Sequence, residues 1–308
     1  MAQTLSFINM RTREKKEQNT IRYLNIGPTD ELWGLSVTTA GYQRIPAHTT
    51  YPKQEQHPQG YSFNPQKGRI LTEYQLVYIS EGSGFFESKS CARRHVKAGT
   101  MILLFPDEWH TYAPDESGWY EHWVGFKGDL IECWISNRFF SKEKPVYEIG
   151  VNATIISLYE EIVTHAVQEK SGYQQLISSI VLYLMGEIYY KEKNLAFVEP
   201  DMVRKIDRAR EIMKANIDNP IPVKNIAKQL HVSYSWFRST FKTYTGVSPA
   251  QYQMNLRYLR AKELLTSTNM AITEIAYTLN FENVSQFSFF FTKKEGISPS
   301  VFRKRSLQ

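Results

Sequence analysis

Hydrophobic and polar positions follow two different rhythms in the two parts of this 308-residue chain. Within residues 30–130, short runs rich in β-branched and aromatic residues stand out: Gln75–Ile79, Gly84–Glu87, Met101–Phe105 and Trp119–Phe126. Turns are expected at Glu81-Gly82 and across Pro114–Gly118, and the whole predicts an antiparallel sandwich or small barrel. Thr154–Tyr190 changes to helical spacing, with Ile155, Leu158, Ile162, Leu176, Ile180 and Leu184 in two stretches interrupted near Lys170–Gly172. Such a stripe serves either a hairpin laid over a core or a dimer surface, and periodicity does not separate the two. Lys191–Pro200 is polar and predicts an interdomain linker.

Beyond that linker the pattern repeats itself. Ile226, Ala227 and Leu230 recur 49 residues later as Ile275, Ala276 and Leu279. Ser235, Phe237, Phe241, Gly246, Ser248 and Pro249 recur 50 residues later as Ser285, Phe287, Phe291, Gly296, Ser298 and Pro299. A one-residue insertion costs least in a turn, so each copy predicts two helices joined by one. In the first copy Val223–Leu230 is a short helix and His231-Val232 the turn. Ser233 is the N-cap of a second helix, anchored by Phe237 and Phe241 and stopped at Gly246. In the second copy Ile272–Leu279 leads into a turn over Asn280–Asn283, then a helix anchored by Phe287 and Phe291 and stopped at Gly296. Asn280 tolerates the left-handed backbone such turns need. Another helix, Met202–Ala215, precedes the first copy. Between the copies, Pro249 opens a helix that carries Tyr252, Leu256, Leu259 and Leu264 through to about Ser267. Some 18 residues give a spacer of about 27 Å, commensurate with the roughly 34 Å between successive major grooves on one face of a DNA duplex.

Charge sharpens the picture. The net +6 divides unevenly: Asp201 to Gln308 carries 17 basic and 8 acidic side chains, a net +9, and the remainder has 20 and 23, a net −3. The basic part is the one expected to meet a polyanion. The length suits two domains, expected at residues 1–195 and 201–308. Two isolated cysteines, Cys91 and Cys133, predict neither a disulfide framework nor a zinc site, and read as buried apolar residues. Met1–Lys16 is polar and unlike a secretory leader, and no apolar run approaches the roughly 18 residues that span a bilayer. A cytoplasmic protein is expected.

The second copy, IAYTLNFENVSQFSFFFTKKEGISPSVFRK, resembles almost end to end the DNA-binding signature of the AraC/XylS family of bacterial regulators. More loosely, EYQLVYISEGSGFFES and VKAGTMILLFPDEWHTYAPDESGWYEHWVGFKG are similar to that family's sugar-binding and dimerisation domain. The resemblance implies an α+β fold: a cupin-like antiparallel β barrel with a helical hairpin, then an all-α domain of two helix-turn-helix units. The partners it implies are operator DNA, a sugar-like effector, a second copy of the chain and, for an activator, RNA polymerase. No cofactor is implied. Three positions depart from the family pattern: Ser239 and Phe289 stand where arginines are usual, and Asn280 where a glycine is.

With Phe237 and Phe241 turned inward, Ser235, Arg238, Ser239 and Lys242 occupy the opposite face of their helix, with Trp236 beside them. Arginine pairs bidentately with guanine, whereas lysine suits phosphate. On the second helix Ser285, Gln286, Phe289 and Lys293 are the DNA-facing candidates, Gln286 toward adenine and Phe289 toward a thymine methyl. Phe289 could equally be buried beside Phe290. Lys293, Lys294, Arg303, Lys304 and Arg305 are expected to supply backbone electrostatics or solubility. By motif position, Tyr112 and Trp123 fall where the family lines its sugar pocket. Glu121 replaces a different pocket residue, and Arg69 is added from the GRIL segment ahead of the sheet. Tyr112 and Trp123 serve equally well as barrel filling.

His110 sits in the second half of a cupin metal signature whose first half is absent. A metal site needs about three ligands, and neither His48, His57 nor His122 has supporting spacing, so a structural histidine and no metal are expected. Two other functions are compatible with the domain pattern, a cupin metalloenzyme with a DNA-targeting tail and an architectural DNA-binding protein. The first needs the missing metal triad; the second differs by its low preference for any operator.

Overall fold

The computed structural model describes residues 19–49, 64–195, 197 and 199–306. Met1–Lys16 and His57, considered above, lie outside the described residues. The chain forms two compact units, Met1–Leu195 and Ala196–Gln308.

The first unit is built on seven antiparallel strands: β1 (Thr20–Tyr23), β2 (Ser36–Ile45), β3 (Tyr74–Ser88), β4 (Arg94–Lys97), β5 (Thr100–Leu104), β6 (His110–Lys127) and β7 (Val146–Glu148). They run in the order β1-β2-β6-β3-β5-β7, with β4 also on β3. The two expected turns are corrected here. Glu81-Gly82 and Pro114–Gly118 lie inside long strands, as irregularities in the β3–β6 ladder, where Gly82 faces Trp119 and Gly84 already faces Pro114. Extra residues inserted in a ladder bend the strands and shift which side chains face inward. In β3 the inward set passes from Val77 and Ile79 to Phe86; in β6 it passes from Tyr112 to Trp119 and Trp123. Residues of opposite parity thereby share one apolar interior, and Tyr112 and Trp119 come within 6.0 Å of each other.

The sheet's other face is covered by helices. After α1 (Pro28–Glu31) and α2 (Asp129–Ser136) come α3 (Ala153–Gln168) and α4 (Tyr173–Leu195). Ile155, Tyr159, Ile162, Ile180 and Leu184 pack with Leu76, Tyr78, Val124 and Phe126 in one core. The helical hairpin therefore covers the sheet. The opposite stripe of α4, Leu176, Tyr183 and Tyr190, stays exposed. The expected polar linker also needs correcting. Helix α4 continues to Leu195, because Lys191, Glu192, Lys193 and Leu195 are sound helix formers and no proline interrupts the chain until Pro200. Cys91 is buried, but Cys133, on α2, is exposed, contrary to expectation.

The second unit is all helical: α5 (Pro200–Ala215), α6 (Val223–Gln229), α7 (Tyr234–Thr245), α8 (Pro249–Ser267), α9 (Ile272–Thr278), α10 (Val284–Glu295) and α11 (Pro299–Ser306). The repeat appears as two helical pairs, α6–α7 and α9–α10. Each has its own apolar core, one around Ile226, Phe237 and Phe241, the other around Ile275, Phe287 and Phe291. Helix α8 serves both. Tyr252 and Leu256 complete the first core; Tyr258, Ala261, Leu264 and Leu265 complete the second. Leu259 is exposed. It continues the stripe of Tyr252 and Leu256 beyond the end of the first core and has nothing to pack on. No helix among the described residues is long and apolar enough to cross a membrane.

Candidate nucleic-acid interface and ligand cavity

Each presenting helix is held at both ends by local chemistry. The Ser233 side chain accepts from Trp236 N–H at the start of α7, and Asn283 does the same for Gln286 N–H at the start of α10. Both helices have 12 residues and end at a glycine in the left-handed region, Gly246 (φ 80°) and Gly296 (φ 82°), where a Cβ would be strained. The preceding turns also match. His231 (φ 53°) and Asn280 (φ 57°) are both left-handed. Val232 N–H donates to Ala227 O at 3.1 Å, and Phe281 N–H to Ala276 O at 2.9 Å. The extra residue of the second copy is Glu282, placed just before the cap.

With two phenylalanines fully buried beneath each helix, the outward faces are defined. Ser235, Arg238, Ser239 and Lys242 are exposed together on α7, and Trp236 is half-buried against the first core. On α10, Ser285, Gln286 and Lys293 are exposed, and Phe289 is 72% exposed, so it is not buried beside Phe290. Gln286 Oε1 accepts from Glu282 N–H at 3.1 Å, so its amide also closes the helix start. Arg303 donates from Nε to Leu265 O at 3.1 Å. It satisfies a carbonyl in the last turn of α8, where the helix itself has no donor to offer. Lys294 reaches Asn255 Oδ1 at 2.9 Å. What remains is two short exposed faces on matched scaffolds, each combining small hydroxyl residues with at least one cation, the composition expected of groove-reading helices.

The sheet face of the first unit that turns away from the helices is unusual for a core because polar groups line part of it. Arg69 Nε donates to His110 Nε2 at 3.3 Å. Its Nη2 donates to Tyr112 OH at 2.9 Å and to Gln75 Oε1 at 3.1 Å. Because an arginine only donates, His110 Nε2 must carry its lone pair here, and Nδ1–H donates to Glu108 O at 3.0 Å. Both ring nitrogens are thus engaged, which accords with a structural histidine. Burial pushes the His110 pKa down to about 4, helped by the neighbouring Arg69. Glu73, which accepts from Thr39 Oγ1 at 3.1 Å, has its carboxyl pKa raised, chiefly by burial.

Glu121 and Trp123 lie two residues apart on the inward face of β6, opposite Gln43 and Gly41 of β2. Gly41 makes room for the indole: a Cβ there would come within 2.4 Å of Trp123 Cζ2. Trp123 and Tyr112 both belong to the buried interior cluster. Sequence reasoning missed Gln43 and Gln75. Gln43 is 2% exposed, and its Nε2 has no hydrogen-bond partner among the described residues. The signal was present in the alternation Gly41, Gln43, Ile45, a polar residue in an inward register. His122, once weighed as a partner for His110, points the other way, among Tyr42, Tyr78, Tyr120 and Tyr159. Among the described residues no three metal-ligating side chains cluster.

The family comparisons agree with this division. Residues 53–185 match the model of the AraC-like ligand binding domain, and residues 226–305 match a helix-turn-helix domain model. The chain is 24% identical to the MmsAB operon regulatory protein of Pseudomonas aeruginosa, over 77% of this chain and 76% of that protein. It is 26% identical to the Msm operon regulatory protein of Streptococcus mutans serotype c, over 81% and 90%. To the lactose operon transcription activator of Staphylococcus xylosus it is also 26% identical, over 78% and 88%. All three matches run through both domains, and the paired helical units supply the same architecture independently, so the chain belongs to the AraC family of helix-turn-helix DNA-binding transcription regulators.

Proposed function

We propose that this regulator is a cytoplasmic activator that answers to a carbohydrate, with residues 1–195 sensing the ligand and residues 201–308 binding the operator. The observation that carries the ligand reading is the set of polar side chains on the buried face of the sheet that turns away from the helices. Arg69, Gln75, Tyr112 and Glu121 offer fixed donors and acceptors, and Trp123 offers an indole face. Sugars present this combination, apolar C–H faces edged by hydroxyls. Gln43 Nε2, a buried donor next to Glu121, adds a complementary pair for one hydroxyl that both accepts and donates. Similarity to a lactose operon transcription activator supports the same class of ligand.

On the DNA side, Ser235, Trp236, Arg238, Ser239 and Lys242 form the first contact surface, and Ser285, Gln286, Phe289 and Lys293 the second. The protein acts by binding, without catalysis. It works as a homodimer through the exposed face of α4, where Leu176, Tyr183 and Tyr190 recur every seven residues. RNA polymerase is its partner at the promoter. The test is a thermal-shift panel of mono- and disaccharides on the full chain, followed by operator binding with each hit. A ligand that binds only the folded state raises the melting temperature by mass action. The reading expects a hit that Tyr112→Phe and Gln43→Leu weaken. A panel without hits, or hits indifferent to both substitutions, contradicts it.

A further inference from the structure

Arg257, near the middle of α8, is held in a way that no function described so far uses. Its guanidinium lies over the ring of Phe281, 3.8 Å from the centroid. Nη2 donates to Asn280 O at 3.0 Å, and Nη1 reaches Met254 Sδ at 3.4 Å. Nε is buried and has no hydrogen-bond partner among the described residues. The ion pairs of α8 belong to its neighbours, Arg260 and Lys262. Burial pulls the guanidinium pKa below its ordinary value. Among the described residues no ion pair compensates this partly withdrawn cation, so its directed contacts with the Phe281 ring and the Asn280 carbonyl are what hold it.

What it grips is the turn that aims the second presenting helix. Asn280 is the left-handed residue of that turn, and Asn283, three residues on, is the N-cap of α10. The same helix α8 also holds the segment that leads into the first helical pair. Gln253 Nε2 donates to Ile221 O at 2.8 Å, and Arg260 lies 3.8 Å from Asp218. Asn280 Nδ2 itself reaches back to Asn219 Oδ1 at 3.5 Å. The two apolar cores are separate clusters joined through α8. Apolar contact resists separation but is non-directional and tolerates sliding. Hydrogen bonds from a charged donor fix direction.

We propose that Arg257 is a positioning residue for DNA recognition: by clamping the Asn280 turn to α8, it sets the one distance and angle at which the two presenting helices meet the duplex. The proposal rests on the reading that both helices contact DNA. Its consequence is a strict spacing between the two halves of the operator.

The test starts with full-length protein and a random-sequence duplex library, from which the wild type selects its site. Variants of that site then gain or lose one base pair between the halves. Each base pair moves one half by about 3.4 Å and about 35°. The wild type is expected to lose about tenfold or more in affinity, because one helix then goes unused. Arg257→Met is expected to bind a duplex carrying only the first half about as well as wild type. On the original spacing it loses about tenfold, and its penalty for an inserted base pair shrinks to about threefold or less. Arg257→Lys, which can still donate to Asn280 O, recovers part of the penalty. Gln253→Leu loosens the other end of the same seam and gives the same flattened spacing curve if Arg257→Met does not fold. A folded Arg257→Met that keeps the full spacing penalty overturns the proposal, as does a wild type indifferent to spacing. Failure of the wild type to select any sequence overturns the underlying DNA reading instead.

Discussion

At the scale of single residues, the sharpest contrast is between Arg238 and Lys242, one helical turn apart on the exposed face of α7. A planar guanidinium can read a guanine edge, whereas an ammonium on a flexible stem meets phosphate as a point charge. Arg238→Ala is therefore expected to relax preference at one base pair by about 1–3 kcal/mol, while Lys242→Ala weakens all sequences alike. Repeating the sequence selection with each variant checks this; unchanged preference in Arg238→Ala contradicts its role. In the first unit, His110 and His122 both have pKa values pushed down to about 4, from 6.5, chiefly by burial. The unfolded chain takes up these protons as pH falls below 6.5, and the folded chain does so only near 4. The stability each contributes is whole above pH 6.5 and is lost as pH falls toward 4, up to about 3 kcal/mol per group. His122→Phe removes one of the two protons and should flatten the melting temperature between pH 6.5 and 4.5. An unchanged slope contradicts the account.

At the scale of elements, the helical pairs were legible in the chain because their signals are local. Ser233, Gly246 and Gly296 act within one turn of where they stand, and the phenylalanine pairs mark the buried face directly. The barrel was legible only in outline. Glu81-Gly82 and Pro114–Gly118 have the composition of turns, but ladder partners at Glu81, Gly82, Pro114 and Trp119 keep each segment inside a strand, and pairing across about 30–40 residues leaves no local trace. For the same reason Gln43 and Gln75 escaped notice, since their inward register depends on strands far away in sequence. The hairpin's two alternatives proved compatible: α4 covers the sheet with Ile177, Val181, Leu184 and Ile188 and presents Leu176, Tyr183 and Tyr190 outward. Tyr183→Glu is expected to leave the fold intact, because that side chain is 56% exposed. It should convert dimers to monomers in light scattering, since like charges would then face each other across an apolar seam. A variant that stays dimeric excludes this face.

At the scale of the whole molecule, the proposed function divides between a mildly acidic sensing part and a basic DNA-binding part, net −3 and +9. That asymmetry directs the polyanion to the second unit and predicts affinity that falls steeply with salt, by about 10³ or more between 50 and 200 mM if six or more phosphates are neutralised. Salt dependence alone does not separate a regulator from a protein that coats DNA without preference. Sequence preference does. The measurement that bears most directly on the central claim is the ratio of affinities of the full chain for its selected site and for bulk genomic DNA in physiological salt. Two matched helices reading adjacent grooves predict a ratio of at least about 10³; equal affinities contradict them.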